Sequence, residues 1–394
     1  MQTNLPTDLL KTEKGKTADK ILRSCVHCGF CLSACPTYGI LGDELDSPRG
    51  RIYLIKSALE GKEVSKNSLA HLDRCLTCRA CETACPSGVE YAHLLDIGRE
   101  YIEEKSPRSL AMRLMRWSVR KTLTSPLLFN GLTTLWPFAK HSSTNPKLKQ
   151  LVSAAADKPH PKQVLLITGC VQPALAPNIN LATMNVLHKL DVGVIETPQE
   201  QCCGAVDHHL SGAADAMIKV KRNIDVWLTE LDHGVEAIIS NTSGCGVMIK
   251  DYANLLKDDR EYAKKAQRIV EHTMDISEYL LKQDLSQFKR PENADVVFHS
   301  PCTLQHGQKL TGLVEKTLIE LGFKLSPVQD AHLCCGSAGT YSIFQRKLAN
   351  ELRDNKITHL LADKPEVIAT ANIGCLMHLQ SGTDKPVKHW IELL

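Results

Sequence analysis

Eight cysteines before residue 90 constrain this chain more than any other feature. They read C-V-H-C-G-F-C-L-S-A-C-P from Cys25 to Pro36 and C-L-T-C-R-A-C-E-T-A-C-P from Cys75 to Pro86. Both are copies of one C-x2-C-x2-C-x3-C-P spacing, the run that holds [4Fe–4S] clusters in pairs. The first three thiolates of a run sit on a tight loop and point at one cube, and the fourth reaches the other. On that logic Cys25, Cys28, Cys31 and Cys85 hold one cluster, and Cys75, Cys78, Cys81 and Cys35 hold the second. Pro36 and Pro86 fix φ and turn the chain away after each fourth cysteine. Disulfides call for an oxidising compartment, and a zinc site needs only four ligands. Neither calls for eight cysteines in two copies of one spacing.

The chain has 394 residues, enough for two or three domains with a sizeable core. A hydrophobic fraction of 43% with 23% charged residues is that of a folded globular protein. A net charge of only +3 and 5% aromatic residues argue against nucleic acid as a partner. The first residues hold no apolar signal core, and no long run is predominantly apolar. With sixteen cysteines, those features predict reduced, metal-binding thiols in the cytoplasm.

Residues 1–105 read as a largely helical two-cluster module, with helices expected over 17–24, 52–60, 67–74 and 88–105. Arg49 and Arg51 are candidates to offset cluster charge. Residues 106–162 form a basic linker. From Lys105 to Ala156 there is no acidic residue, while Arg108, Arg113, Arg116, Arg120 and Lys121 alternate with Leu110, Leu114 and Trp117. Two uses fit this pattern. One is an interfacial contact with anionic lipid, burying Trp117, Phe129, Trp136 and Phe138 at headgroup depth. The other is a basic linker packed on a partner subunit or on the chain's own clusters. Residues 141–162 read as a domain boundary.

The remainder is an internal duplication. Cys170 and Cys302, Cys202 and Cys334, and Cys203 and Cys335 lie 132 residues apart, and Cys245 and Cys375 lie 130 apart. Gly204 and Gly336 follow the paired cysteines, and Asn223 and Asn355 each come twenty residues after them. Apolar runs at 164–167, 237–239, 296–298 and 367–369 alternate with helical patterns at 181–190, 213–230, 313–321 and 345–360. This predicts two pseudo-symmetric α/β lobes, 163–290 and 291–394, with parallel sheets and four cysteines grouped past the strand ends of each. The fold class is therefore α+β overall, a helical cluster module followed by two cysteine-rich lobes. Three readings stay open for the lobe cysteines: a further iron–sulfur cluster, a redox-active thiol pair or other metal site, or structural thiols. His208, His209, His306, His332 and His378 lie near them in sequence as candidate ligands or proton relays.

The chain has no G-x-G-x-x-G fingerprint and no Walker A loop. A module with clusters and no hydride cofactor is a wire that needs a partner for the organic chemistry.

A two-cluster, ferredoxin-like domain followed by duplicated C…CCG…C lobes resembles the cysteine-rich-domain family. That family includes subunits of heterodisulfide reductase, anaerobic glycerol-3-phosphate dehydrogenase, lactate utilisation proteins and glycolate oxidase. The strings VHCGFC (26–31), CPTYGILGDELDSPRGRIYLIK (35–56), HLDRCLTCRACETACPSGV (71–89), CCGAVDHHL (202–210), SPCTLQHGQKL (300–310), HLCCGSAGTY (332–341) and TANIGC (370–375) are most similar to the glycolate oxidase iron–sulfur subunits. The resemblance implies FAD-bearing partner subunits that oxidise glycolate to glyoxylate, with D-lactate as a second substrate. It also implies electron passage to a quinone-type acceptor and peripheral attachment to the inner face of the cytoplasmic membrane. Related lactate or glycerol-3-phosphate dehydrogenases, or a thiol–disulfide reductase, are the alternative readings. Against the last, the lobes end in C-G-V-M (245–248) and C-L-M-H (375–378) where heterodisulfide reductase has C-x-x-C, so each lacks a ligand.

Overall fold

In a computed structural model describing residues 1–135, 143–156, 158–289 and 295–394, the helices Glu13–Ser24, Pro48–Leu59, Lys66–Asp73 and Tyr91–Lys105 enclose the N-terminal core. Their starts are set locally. Thr12, Ser47 and Ser65 accept from the amides of Gly15, Gly50 and Ser68, and Pro48 takes the first-turn position where its missing N–H costs nothing. Leu22, Ile55, Leu59, Leu94 and Leu95 are wholly buried between these helices. Each contributes roughly 1.5–3 kcal/mol of apolar burial. The helices close on each other at Gly98, where a Cβ would stand 2.5 Å from Ile55 Cγ1.

The two cysteine loops share one backbone shape. His27 and Gly29 in the first, and Thr77 and Arg79 in the second, all have positive φ (58°, 86°, 54° and 61°). Three of these four are not glycine, at a cost of about 1–2 kcal/mol each. The duplicated spacing thus produces a duplicated conformation, in which Thr77 N donates to Cys75 Sγ at 3.4 Å.

Each lobe holds a four-stranded parallel sheet. The first contains β1 (Lys162–Leu166), β2 (Val192–Ile195), β3 (Ala237–Ser240) and β4 (Thr273–Asp275), in the order β2-β1-β3-β4. The second contains β5 (Asp295–His299), β6 (Lys324–Ser326), β7 (Val367–Thr370) and β8 (Val387–His389), in the order β6-β5-β7-β8. The identical order is the duplication seen in three dimensions. In both, strand order reverses beside the first strand, which opens a crevice past the carboxyl ends of the strands. Val164, Leu166, Val297, Leu318 and Trp390 belong to one apolar core that runs through both lobes. At the seam, Ser243 N donates to Ala371 O at 3.1 Å, and Thr303 Oγ1 meets Ser243 Oγ at 2.7 Å and Asn372 Nδ2 at 3.2 Å.

The basic stretch is helical over Leu110–Thr124, Pro126–Leu135 and Pro146–Ala156. Pro146–Ala156 packs on the Asn178–Lys189 helix and places Val152 in the core of the lobes, although its composition reads as a boundary. Phe129, expected at headgroup depth, is buried in the protein. Trp136 and Phe138, and the 290/291 boundary between lobes, lie outside the described residues.

Candidate metal centres

The two cysteine runs interleave. Cys25, Cys28, Cys31, Cys81 and Cys85 line one cavity, walled by Phe30, Arg49 and Ile52. Burial, with the neighbouring sulfurs of Cys25 and Cys28, pushes the Cys31 thiol up to about 11. Cys78 and Cys81 are pushed well up by burial and by the thiols of Cys75 and Cys35. Each fourth cysteine therefore joins the other run's group. Buried thiols held this far from ionisation are poor free nucleophiles and good ligands for a cation that displaces the proton.

Both arginines singled out from sequence stand at these groups. Arg49 pairs with Glu44 at 2.6 Å on the wall of the first cavity. Arg51 is 1% exposed. Its Nη1 lies 3.9 Å from Cys35 Sγ, and both Nη atoms donate to Thr37 Oγ1 at 3.1 Å. Its Nε donates to His71 O at 2.8 Å, and Nη2 to Asp46 Oδ1 at 3.2 Å. Burial opposes its charge, but the sulfurs of Cys75 and Cys35, with Tyr91 and Asp46, outweigh it and hold the guanidinium protonated. Tyr91 Oη adds a contact to Cys75 Sγ at 3.6 Å.

In the first lobe Cys170, Cys202, Cys203 and Cys245 form a chain of sulfur contacts. In the second, Cys302 Sγ stands 3.8 Å from Cys334 Sγ, and Cys335 meets Cys375. The C-C-G motif has a steric reason. Gly204 and Gly336 have φ of 90° and 87°, and a Cβ on Gly336 would lie 2.5 Å from Ala349 O. Asn223 clamps the first lobe's motif through Gln201 N, Gln201 O and Cys202 O. Asn355 does not repeat this: it is exposed, and the neighbouring buried Lys356 donates to Asp330 O at 2.7 Å instead.

The lobes differ in what lies near them. Cys302 and Cys334 share a small apolar cluster with Leu76, Cys78 and Tyr341, so the second lobe's thiols abut the Cys75–Cys81 loop. His306 ties the same seam, bonding Thr83 Oγ1 at 3.0 Å and His332 O at 2.9 Å. The first lobe instead docks through His93–Asp251 at 3.0 Å, and through Arg120, which pairs with Asp207 and Asp215. Between that lobe, the Tyr91–Lys105 helix and the Leu110–Thr124 helix lies a groove of about 1100 Å³. Its wall includes Leu114 and Trp117. On its floor His208 Nε2 donates to Asp96 Oδ2 at 3.2 Å, and His209 Nδ1 lies 3.5 Å from Asp96 Oδ1.

A 4Fe-4S dicluster domain profile matches residues 21–89, and a cysteine-rich domain profile matches twice, over 164–250 and 296–380. The chain is 48% identical to the glycolate oxidase iron–sulfur subunit of Escherichia coli K12, over all of this chain and 98% of that protein. The chain belongs to the glycolate oxidase iron–sulfur subunit family. A probable glycolate oxidase iron–sulfur subunit of Bacillus subtilis is 31% identical over 92% of this chain and 89% of its own length. Lactate utilization protein A of Bacillus velezensis is 26% identical over 58% of this chain. As a member of the glycolate oxidase iron–sulfur subunit family, the chain pairs a [4Fe–4S] dicluster module with two cysteine-rich lobes.

Of the histidines chosen from sequence, His378 donates to Ala349 O at 3.1 Å, His332 is exposed, and His208, His209 and His306 make the contacts above. The histidine that does reach the thiols is His299, which sequence reasoning passed over. Its ligand atom and those of Cys335 and Cys375 lie within 4.8 Å of one another, all buried. Burial, with Lys356 nearby, pulls this imidazole down to about 3, so it is neutral. The signal was present in the repeat: 132 residues earlier the first lobe has Ile167.

Proposed function

We propose that this chain is the electron-transfer subunit of a flavin-linked glycolate dehydrogenase, with D-lactate as a second substrate. Partner subunits bearing FAD oxidise the hydroxy acid, and a quinone-type compound takes the electrons. The carrying observation is the pair of interleaved four-thiol groups in one core, with the buried Arg51 cation set against Cys35. Cys25, Cys28, Cys31 and Cys85 hold one [4Fe–4S] cluster, and Cys35, Cys75, Cys78 and Cys81 the other. Bound there, the clusters supply reversible one-electron storage. The protein's share is to bury Cys25, Cys35, Cys75 and Cys81, and to set the charge of Arg51 against Cys35. The names of the relatives support the substrate assignment.

Attachment to the inner face of the cytoplasmic membrane is part of this proposal. No described helix is long and apolar enough to cross a membrane. Leu110, Leu114, Trp117, Leu127 and Leu128 are nonetheless more than half exposed on two adjoining helices. That apolar face suits insertion at a lipid surface. Leu114 and Trp117 also line the groove, together with Arg99, Glu100, Glu103 and Arg113.

The test is to add glycolate to the anaerobic complex and follow flavin and iron–sulfur absorbance together. Both bleach under this reading. Flavin reduction with clusters that stay oxidised through many turnovers would refute it.

A further inference from the structure

We infer that the second lobe holds a polynuclear iron–sulfur centre in which His299 stands in for a missing thiolate ligand. Five donors converge there: Cys302, Cys334, Cys335, Cys375 and His299, all buried. Cys302 and Cys334 are 3.8 Å apart, and the ligand atoms of the other three lie within 4.8 Å of one another. His299 Nε2 is buried with no hydrogen-bond partner among the described residues. A buried imidazole beside two thiols, with one ring nitrogen unpaired, is what a metal-bound ligand looks like before the metal is added, because an unpaired buried polar atom is costly. Five donors also exceed the four that a tetrahedral zinc accepts, so the set fits more than one metal ion.

The first lobe supplies the internal control. It repeats the four cysteines, but Ile167 occupies the place of His299 and is 5% exposed. Ile167 offers no lone pair. The duplication has therefore diverged at the one side chain that restores the ligand each lobe lacks at its C-terminal motif. Placement agrees with this. Among the described residues, Cys302 and Cys334 of the second lobe share an apolar cluster with Cys78, beside the Cys75–Cys81 loop, and no cysteine of the first lobe does.

The chemistry follows from the ligand. An imidazole in place of a thiolate removes one negative charge and raises a cluster's potential, as in iron–sulfur centres with mixed histidine and cysteine ligation. A centre held there by Cys302, Cys334, Cys335, Cys375 and His299 would accept one electron from a cluster at the N-terminal thiols, which would be oxidised as it is reduced, with no bond made or broken. The metal assignment stands independently of the glycolate reading, and only the direction of electron flow rests on it.

The experiment uses the anaerobically purified complex, grown with ¹⁵N-histidine, with pulsed EPR on the dithionite-reduced state. A paramagnetic species coupled to ¹⁵N is expected besides the N-terminal signals, with iron above the roughly eight per chain of two cubanes. His299→Ala should abolish that coupling. His299→Cys should keep the iron but lose the coupling and titrate at a lower potential. Cys335→Ser should lower the iron content while the N-terminal signals persist. Zinc in the lobe, iron of about eight in the unaltered complex, or nitrogen coupling that survives His299→Ala would each overturn the inference. Glycolate is absent from every arm, so a failure of the substrate reading leaves these results unchanged.

Discussion

Removing the buried cation at Arg51 should make the adjacent cluster harder to reduce. Its Nη1 lies 3.9 Å from Cys35 Sγ. A unit charge about 4 Å from another, at an effective dielectric of roughly 20, is worth about 4 kcal/mol. For one electron that is on the order of 170 mV, taking about 59 mV for each 1.4 kcal/mol. This is a ceiling, because the added electron spreads over the whole cluster and its centre lies farther away. At about twice the distance the shift is roughly 80 mV. Arg51→Met should therefore lower one midpoint by about 50–150 mV and leave the other nearly unchanged. It should also destabilise the fold by up to about 3–5 kcal/mol, softened because Arg74 at 2.9 Å and His71 at 3.1 Å still face Asp46. Arg51→Lys keeps the charge and loses the fork, so its midpoint should fall between the two. The assay is an EPR-monitored redox titration of the anaerobic complex. Two midpoints that match the unaltered protein within about 20 mV would refute the claim that Arg51 sets cluster charge.

Gly336→Ala should destabilise the second lobe by about 2 kcal/mol or more, since it combines a positive φ of 87° with a 2.5 Å clash against Ala349 O; chemical denaturation measures it. Gly98→Ala should also destabilise in the same assay, because its Cβ would stand 2.5 Å from Ile55 Cγ1, a branch atom of a wholly buried side chain. Asp96 is held well below the usual carboxylate range by His208 and His209 in spite of burial, and Asp96 raises His208 against its own desolvation. The His208 contribution to stability is thus fully present below about pH 6.5 and lost as pH rises through its elevated value, while the Asp96 contribution is present above about pH 3.8 and lost on acidification. The Tm difference between the parent and His208→Gln should accordingly narrow on the alkaline side, and a difference that widens there would contradict the pairing. Trp117→Glu with Leu114→Glu should cut cosedimentation with anionic vesicles several-fold while leaving cluster absorbance intact; unchanged binding would remove the lipid-facing role of that helix.

Metal chemistry was readable because cysteine spacing is a local property. The offset of 132 residues likewise revealed two lobes, and the strand pairing bears this out in the shared orders β2-β1-β3-β4 and β6-β5-β7-β8. Edge strands were not readable. Thr273–Asp275, Lys324–Ser326 and Val387–His389 are three residues long, too short to show a period. The acid-free stretch left two uses open, because composition does not show a charge's distant partners. Arg108 pairs with Asp73 at 2.5 Å and Arg120 with Asp207 at 3.0 Å, partners 35 and 87 residues away. Arg116 lies buried over the Phe344 ring at 5.7 Å. Local composition counts such charges as free when tertiary structure has already spent them. His299 escaped notice because one histidine at a strand end looks like any core residue until its repeat partner, Ile167, is set beside it.

The interleaving of the two cysteine runs has a consequence for biosynthesis. Cys85 lines the cavity of Cys25, Cys28 and Cys31, and Cys35 neighbours Cys75, Cys78 and Cys81. Neither group is complete in a nascent chain that ends before the second run. Once translation passes residue 81 the later group has all its thiols, and four residues on so does the earlier one. If these two groups hold the clusters, neither could be completed before the second half of the module is made. A recombination event that transplanted one run alone would cripple two sites at once, which binds the halves of the module to a common inheritance.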